Sequence, residues 1–130
     1  MHAPITALWA GLFGILMLGL AGRVVNARNS EKILFGDGGS VVLMQHMRVH
    51  GNFIEYVPFG LVLMLILELN GASALLLNLL GGGLFAARLL HAFGLGRSTG
   101  TSFGRFVGTV LTWLVLFAGS ALALYSYAVA

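Results

Sequence analysis

Four long apolar runs, near residues 4–26, 41–69, 72–95 and 104–128, alternate with three short polar links, "NARNSEKILFGDGGS", "NGAS" and "GLGRSTGTS". Each run is near or above the ~20 residues that a helix needs to cross a ~30 Å hydrocarbon layer. No water is available there to satisfy backbone N–H and C=O groups, so runs this apolar cross as helices. The pattern predicts an all-α bundle of four transmembrane helices in a single domain, residues 1–130. Gly36–Asp37–Gly38–Gly39 predicts a turn ahead of the second helix. No Gly-Lys-Ser/Thr follows it, so it is not read as a phosphate loop. Ser98, Thr99, Thr101 and Ser102 are candidate caps for the fourth helix.

Composition sharpens this picture. The 130 residues are 58% hydrophobic and 8% charged, whereas an ordinary soluble domain carries about 25% charged residues. Too little polar surface exists to coat a globule, and the lipid bilayer is the expected solvent. The formal net charge of +3 reads as orientation. Arg23, Arg28 and Lys32 flank link one, Arg97 lies in link three with Arg88 and Arg105 beside it, and link two has no basic residue. The positive-inside rule then predicts links one and three cytoplasmic and both termini on the far side, in the inner membrane if the source is bacterial. The first run has its basic residues after it, which favours a retained span over a cleaved secretory signal. Without a lysine/arginine block, no nucleic-acid partner is expected. Cysteine is absent, which excludes disulfides and thiolate metal sites. His46 and His50 are four apart but lack a carboxylate in H-E-x-x-H order, so no metal site is expected.

Small and aromatic residues have their own pattern. Gly81–Gly82–Gly83 lies inside the third run, and Gly104 and Gly108 open the fourth with a small-xxx-small step, which predicts close helix packing. Trp9, Trp113, Tyr125 and Tyr127 read as interfacial or lipid-facing aromatics.

The start of the second run breaks the apolar pattern. Arg48, Asn52 and Glu55, at i, i+4 and i+7, share one helical face. Gln45 extends this stripe and Tyr56 lies beside it. With Glu68 taken as the far interface, Glu55 lies about 20 Å along the helix from it, some ~10 Å inside a ~30 Å core. An ionised carboxylate at that depth costs several kcal/mol unless paired or wetted. The stripe is therefore expected to face a bundle interior or a water-filled cleft. Pro58 removes a donor to the Ile54 carbonyl and is expected to bend the helix. A buried Arg–Glu pair that only fixes packing is the bland reading; ionisable groups at membrane depth point to function by default.

Arg48-x-x-x-Asn52-x-x-Glu55-Tyr56 ahead of Pro58, on the second of four spans, resembles the MAPEG superfamily, the membrane-associated proteins in eicosanoid and glutathione metabolism. The stretch "RVHGNFIEYVPFGLVLMLILELNGA" looks like the small bacterial members. With "ARLLHAFGL", the length and the span count, the likeness extends over nearly the whole chain. The resemblance implies a homotrimer of four-helix subunits, with glutathione as co-substrate in a cleft between neighbours, toward the cytoplasmic side. It implies conjugation of glutathione to hydrophobic electrophiles, reduction of lipid hydroperoxides, or isomerisation of eicosanoids. It also implies glutathione-binding roles for Arg28 near the end of helix one, for Arg48, Asn52, Glu55 and Tyr56 on helix two, and for Arg88 and His91 on helix three. Arg105 aligns loosely with the family's thiol-activating arginine at the start of helix four. Arg97 competes for that role and is otherwise a further glutathione contact. Leu95 stands where many members carry a tyrosine, which removes one hydrogen bond to the ligand.

These residue types suit such a ligand by their own chemistry. Glutathione brings two carboxylates, an ammonium and a thiol. Arginine forks match carboxylates, often bidentately. Glu55 can take the ammonium or brace an arginine, and the Asn52 amide can donate and accept. The thiolate is the nucleophile, and a free cysteine thiol is only a few per cent ionised at pH 7. Lowering its pKa by two units takes about 2.7 kcal/mol, within reach of one arginine in a partly dry cleft. Arg105 is the residue expected to supply it, and a hydrophobic electrophile would arrive from the bilayer. Three other functions fit the same sequence: a non-enzymatic membrane protein that keeps the fold for small-ligand binding or packing, a haem-binding electron carrier using His50 and His91, and a small transporter.

Overall fold

The computed structural model describes residues 2–97 and 102–129, without the side chains of 95–97. Four helices follow one another: α1 (Pro4–Glu31), α2 (Val41–Leu69), α3 (Ala74–Arg97) and α4 (Phe103–Ala128). All four are long and apolar enough to cross a membrane, and the protein is a polytopic four-helix membrane bundle. α1 runs on to Glu31, past the apolar run that ends near residue 26, so its last turn carries Arg28 out of the greasy segment.

Local chemistry sets the helix ends. Pro4 sits in the first turn of α1, where its missing N–H would have no helical partner. Lys32 closes α1 in the left-handed region at φ 55, with its backbone N–H on the Arg28 carbonyl. Gly36, Gly38 and Gly39 take φ values of 68, 56 and 77, backbone that side chains resist. This is the turn that the glycine cluster predicts. The Ser40 hydroxyl then accepts from the Leu43 N–H at 3.0 Å and caps α2. α2 is continuous through Pro58. Ser102 caps α4, its Oγ accepting from the Arg105 N–H at 3.3 Å and donating to the Gly94 carbonyl at 2.8 Å. Ser98, Thr99 and Thr101 lie outside the described residues.

The helices pack up and down in turn. Phe13 is the centre of an aromatic knot, 6.0 Å from Phe53 and 5.3 Å from Phe85 between ring centroids. Trp9 joins it, 6.1 Å from Phe85. A methyl on Gly81 would stand 2.5 Å from the Trp9 indole, and the indole Nε1–H donates to Asn78 Oδ1 at 3.2 Å. Trp9 is half-buried, so of the two readings, interfacial or lipid-facing, it does not stand fully in lipid: the missing side chain at Gly81 leaves a slot for it. Trp113, Tyr125 and Tyr127 are exposed. α3 and α4 meet backbone to backbone. A Cβ on Gly108 would lie 2.6 Å from the Ala87 carbonyl oxygen and 2.7 Å from the His91 nitrogen, and one on Gly104 3.0 Å from the Leu90 carbonyl.

At the other end of the bundle, Glu68 does more than mark an interface. Its carboxylate accepts from the Ile5 N–H at 2.9 Å and the Thr6 N–H at 2.7 Å. These are two of the first-turn donors that α1 cannot satisfy itself, and the negative charge sits at the positive end of the helix dipole. Glu68→Ala should lower bundle stability by about 1–2 kcal/mol, read as an earlier thermal transition in detergent. Glu68→Gln, which keeps one acceptor, should lose less.

Candidate functional site

The sequence stripe on α2 opens onto a hollow of about 190 Å³ lined by Met47, Arg48, Gly51, Asn52, Glu55, His91 and Arg105. Three helices build it. α2 supplies Arg48, Asn52 and Glu55 by their helical spacing, α3 supplies His91, and α4 supplies Arg105 from its first turn. The close α3–α4 approach at Gly94, Gly104 and Gly108 brings the last two together. In the single chain Arg48 and Glu55 are exposed and form the open edge, while His91 is buried and forms the back. Arg48 and Glu55 thus face a cleft, while Asn52 between them also reaches the bundle interior.

Arg88 occupies that interior. It is 2% exposed, and its two terminal nitrogens reach three acceptors: Asn52 Oδ1, Thr112 Oγ1 and the Gly108 carbonyl, the last at 3.2 Å. Its Nε is buried, with no partner among the described residues. The Tyr56 ring covers the guanidinium at 5.5 Å, and the Tyr56 hydroxyl accepts from the Trp113 indole N–H at 3.3 Å. So neither Arg88 nor Tyr56 is in the lining: Arg88 stands behind it, bonded to Asn52, and the half-buried Tyr56 ring covers the guanidinium. Arg28 is not in the lining but touches it: its guanidinium donates to the Gly36 carbonyl at 2.9 Å and to Sδ of Met47, a lining residue, at 3.5 Å. There it ties link one to α2. The side chains of Arg97 and Leu95 lie outside the described residues.

A second, greasier depression of about 370 Å³ adjoins the first and is lined by Ser102, Phe103, Arg105, Phe106 and Thr109. Phe103 and Phe106 are exposed. Arg105 belongs to both depressions, so one guanidinium borders a charged hollow on one side and an apolar recess on the other.

Compared with known families, the chain matches the MAPEG family over residues 6–125. It belongs to the MAPEG family. It is also similar to inner membrane protein YecN of Escherichia coli, in strain K12 and in strain O6:H1: 39% identical over 90 residues, 69% of this chain and 69% of the relative. Of the residues for which the MAPEG resemblance implies a role, the fold gathers Arg48, Asn52, Glu55, His91 and Arg105 around one hollow. Met47, Gly51, Gly108 and Thr112 are parts of this arrangement that sequence reasoning did not assign to it. For Thr112 a signal was there, because Gly104, Gly108 and Thr112 repeat at i+4 on one face of α4.

Proposed function

We propose that this MAPEG protein binds glutathione in the charged hollow and conjugates it, through its thiolate sulfur, to hydrophobic electrophiles taken from the bilayer, a leaving group departing or a double bond taking up the proton. The observation that carries the reading is the meeting of Arg48, Glu55 and Arg105 around one cleft, with the Arg88 guanidinium directly behind Asn52. Three arginines against one carboxylate leave a surplus of about two positive charges. Thiolate glutathione carries about two net negative charges at neutral pH, and the signs match. Arg48 suits a carboxylate and Glu55 the ammonium. Arg105 suits the thiolate, since it also borders the apolar recess at Phe103 and Phe106 where an electrophile would lie. The same thiolate can attack the terminal oxygen of a lipid hydroperoxide, breaking the O–O bond and releasing the lipid alcohol, and a second glutathione then converts the resulting sulfenic acid to the disulfide with loss of water, which makes peroxidase activity a companion reaction.

The hollow is smaller than the roughly 300–1,000 Å³ of a small-molecule site, and its edge is open at Arg48 and Glu55. A homotrimer, in which a neighbour covers that edge, supplies the missing wall. The relative's name and the basic residues at links one and three support a place in the inner membrane, with those links cytoplasmic.

Calorimetry on detergent-purified protein tests the reading. Glutathione should bind the unsubstituted protein, and Arg48→Ala should weaken it by about tenfold or more, the loss of a charge-assisted bond. Glu55→Gln should weaken it less. No heat of binding in the unsubstituted protein would remove glutathione. Binding without turnover of a generic aromatic electrophile would leave a ligand-binding membrane protein instead of a transferase.

A further inference from the structure

Arg88 is a buried cation whose partners among the described residues are all uncharged: an amide, a hydroxyl, a peptide carbonyl and an aromatic ring. Burying a guanidinium without a counter-ion is costly relative to an apolar side chain, so packing alone is a poor reason for it. The hydrogen-bond directions are determined. Arginine only donates, so the Asn52 atom facing it is the carbonyl oxygen. The Thr112 hydroxyl donates to the Gly108 carbonyl at 2.7 Å, so its oxygen is left to accept from Arg88. Asn52 is therefore held with Oδ1 pointing inward, and it also lines the hollow.

We propose that Arg88 is a positioning residue that acts through Asn52, locking the amide so that its two N–H donors face the hollow and the ligand group read there must be an acceptor. On glutathione, whose binding is the reading this inference rests on, that group is a carboxylate or a peptide carbonyl. Arg88 itself does not touch the ligand. An amide turned the other way would offer an oxygen instead, and would favour an ammonium. The specificity of the hollow at this point is thus set one layer behind its wall.

A double-substitution cycle on the detergent-purified protein, read by melting temperature and by glutathione calorimetry, tests this. Arg88→Lys keeps the charge but cannot hold Asn52 and Thr112 with separate nitrogens. It should weaken glutathione roughly tenfold in the unsubstituted background and less than about twofold in the Asn52→Ala background. Equal losses in both backgrounds would mean that Arg88 contacts the ligand, and would overturn the proposal. Asn52→Asp gives the guanidinium a counter-ion and removes both donors from the hollow. It should hold or raise the melting temperature while glutathione affinity falls roughly tenfold or more. Affinity that merely follows the melting temperature would reduce the network to packing and overturn the proposal. The melting arm needs no ligand. If glutathione does not bind the unsubstituted protein, the function proposed above falls, yet non-additive melting shifts of Arg88→Lys and Asn52→Ala would still support the locked amide, and additive shifts would overturn it.

Discussion

On the proposed function, replacing Arg105 with alanine should lower the rate of glutathione conjugation at pH 7 by about 25-fold and leave the rate above pH 9 nearly unchanged. The size follows from ionisation alone. A thiol with pKa about 8.5 is ~3% thiolate at pH 7. Two units of stabilisation, about 2.7 kcal/mol, would raise this to about three-quarters. The sign follows from the same titration: an arginine that favours the thiolate would help below the free thiol's pKa, and the benefit would disappear once the thiol ionises unaided. A pH–rate profile of variant and unsubstituted protein, each saturated with glutathione, reads both limbs. A rate at pH 7 that is unmoved in a folded variant would take the role away from Arg105. A loss that persists at high pH would give it a binding role instead. The capping Ser102 fixes the first turn of α4, so the side chain leaves the helix at a defined point between hollow and recess.

Gly108→Val has the largest expected structural effect. The new Cβ would fall 2.6 Å from the Ala87 carbonyl oxygen and 2.7 Å from the His91 nitrogen. Both atoms belong to the α3 backbone and cannot swing aside as a side chain could. α3 and α4 must separate, which costs about 1–3 kcal/mol or more by overpacking. It also draws the Gly108 carbonyl and Thr112 away from Arg88, leaving a buried cation short of acceptors. The variant should melt well below the unsubstituted protein and bind glutathione weakly even when folded. Gly83→Ala makes a useful control on the same helix pair, since among the described residues its added methyl meets only the Val115 side chain, at 3.2 Å. A Gly108→Val protein that melts like the control would mean that the two backbones do not approach as closely as this fold requires.

The architecture was open to reading because it rests on one-dimensional quantities. Run length against membrane thickness identifies a spanning helix, and four such runs leave no other backbone solution. The α2 stripe was equally open, because a helix turns i, i+4 and i+7 to one side wherever it is placed. The turn at Gly36–Gly39 and the cap at Ser102 are local chemistry, and they too are written in the residues that form them.

Other features depend on what lies across a helix interface, and spacing along one chain does not carry that. Arg88 and Arg105 are both arginines near the same end of the bundle, yet one is sealed in the interior and the other borders the hollow. The difference comes from how closely α3 and α4 approach. Trp9 looks like any interfacial tryptophan until Gly81 is placed beneath it, and Glu68 like a boundary marker until the first turn of α1 arrives at its carboxylate. Sequence alone determined that this chain crosses a membrane four times and bears a charged stripe at one end, since length, hydropathy and helical period are properties of a single strand of residues. Tertiary structure decided which charges face the hollow and which way the Asn52 amide points, since those follow from the partners that packing brings within hydrogen-bond reach.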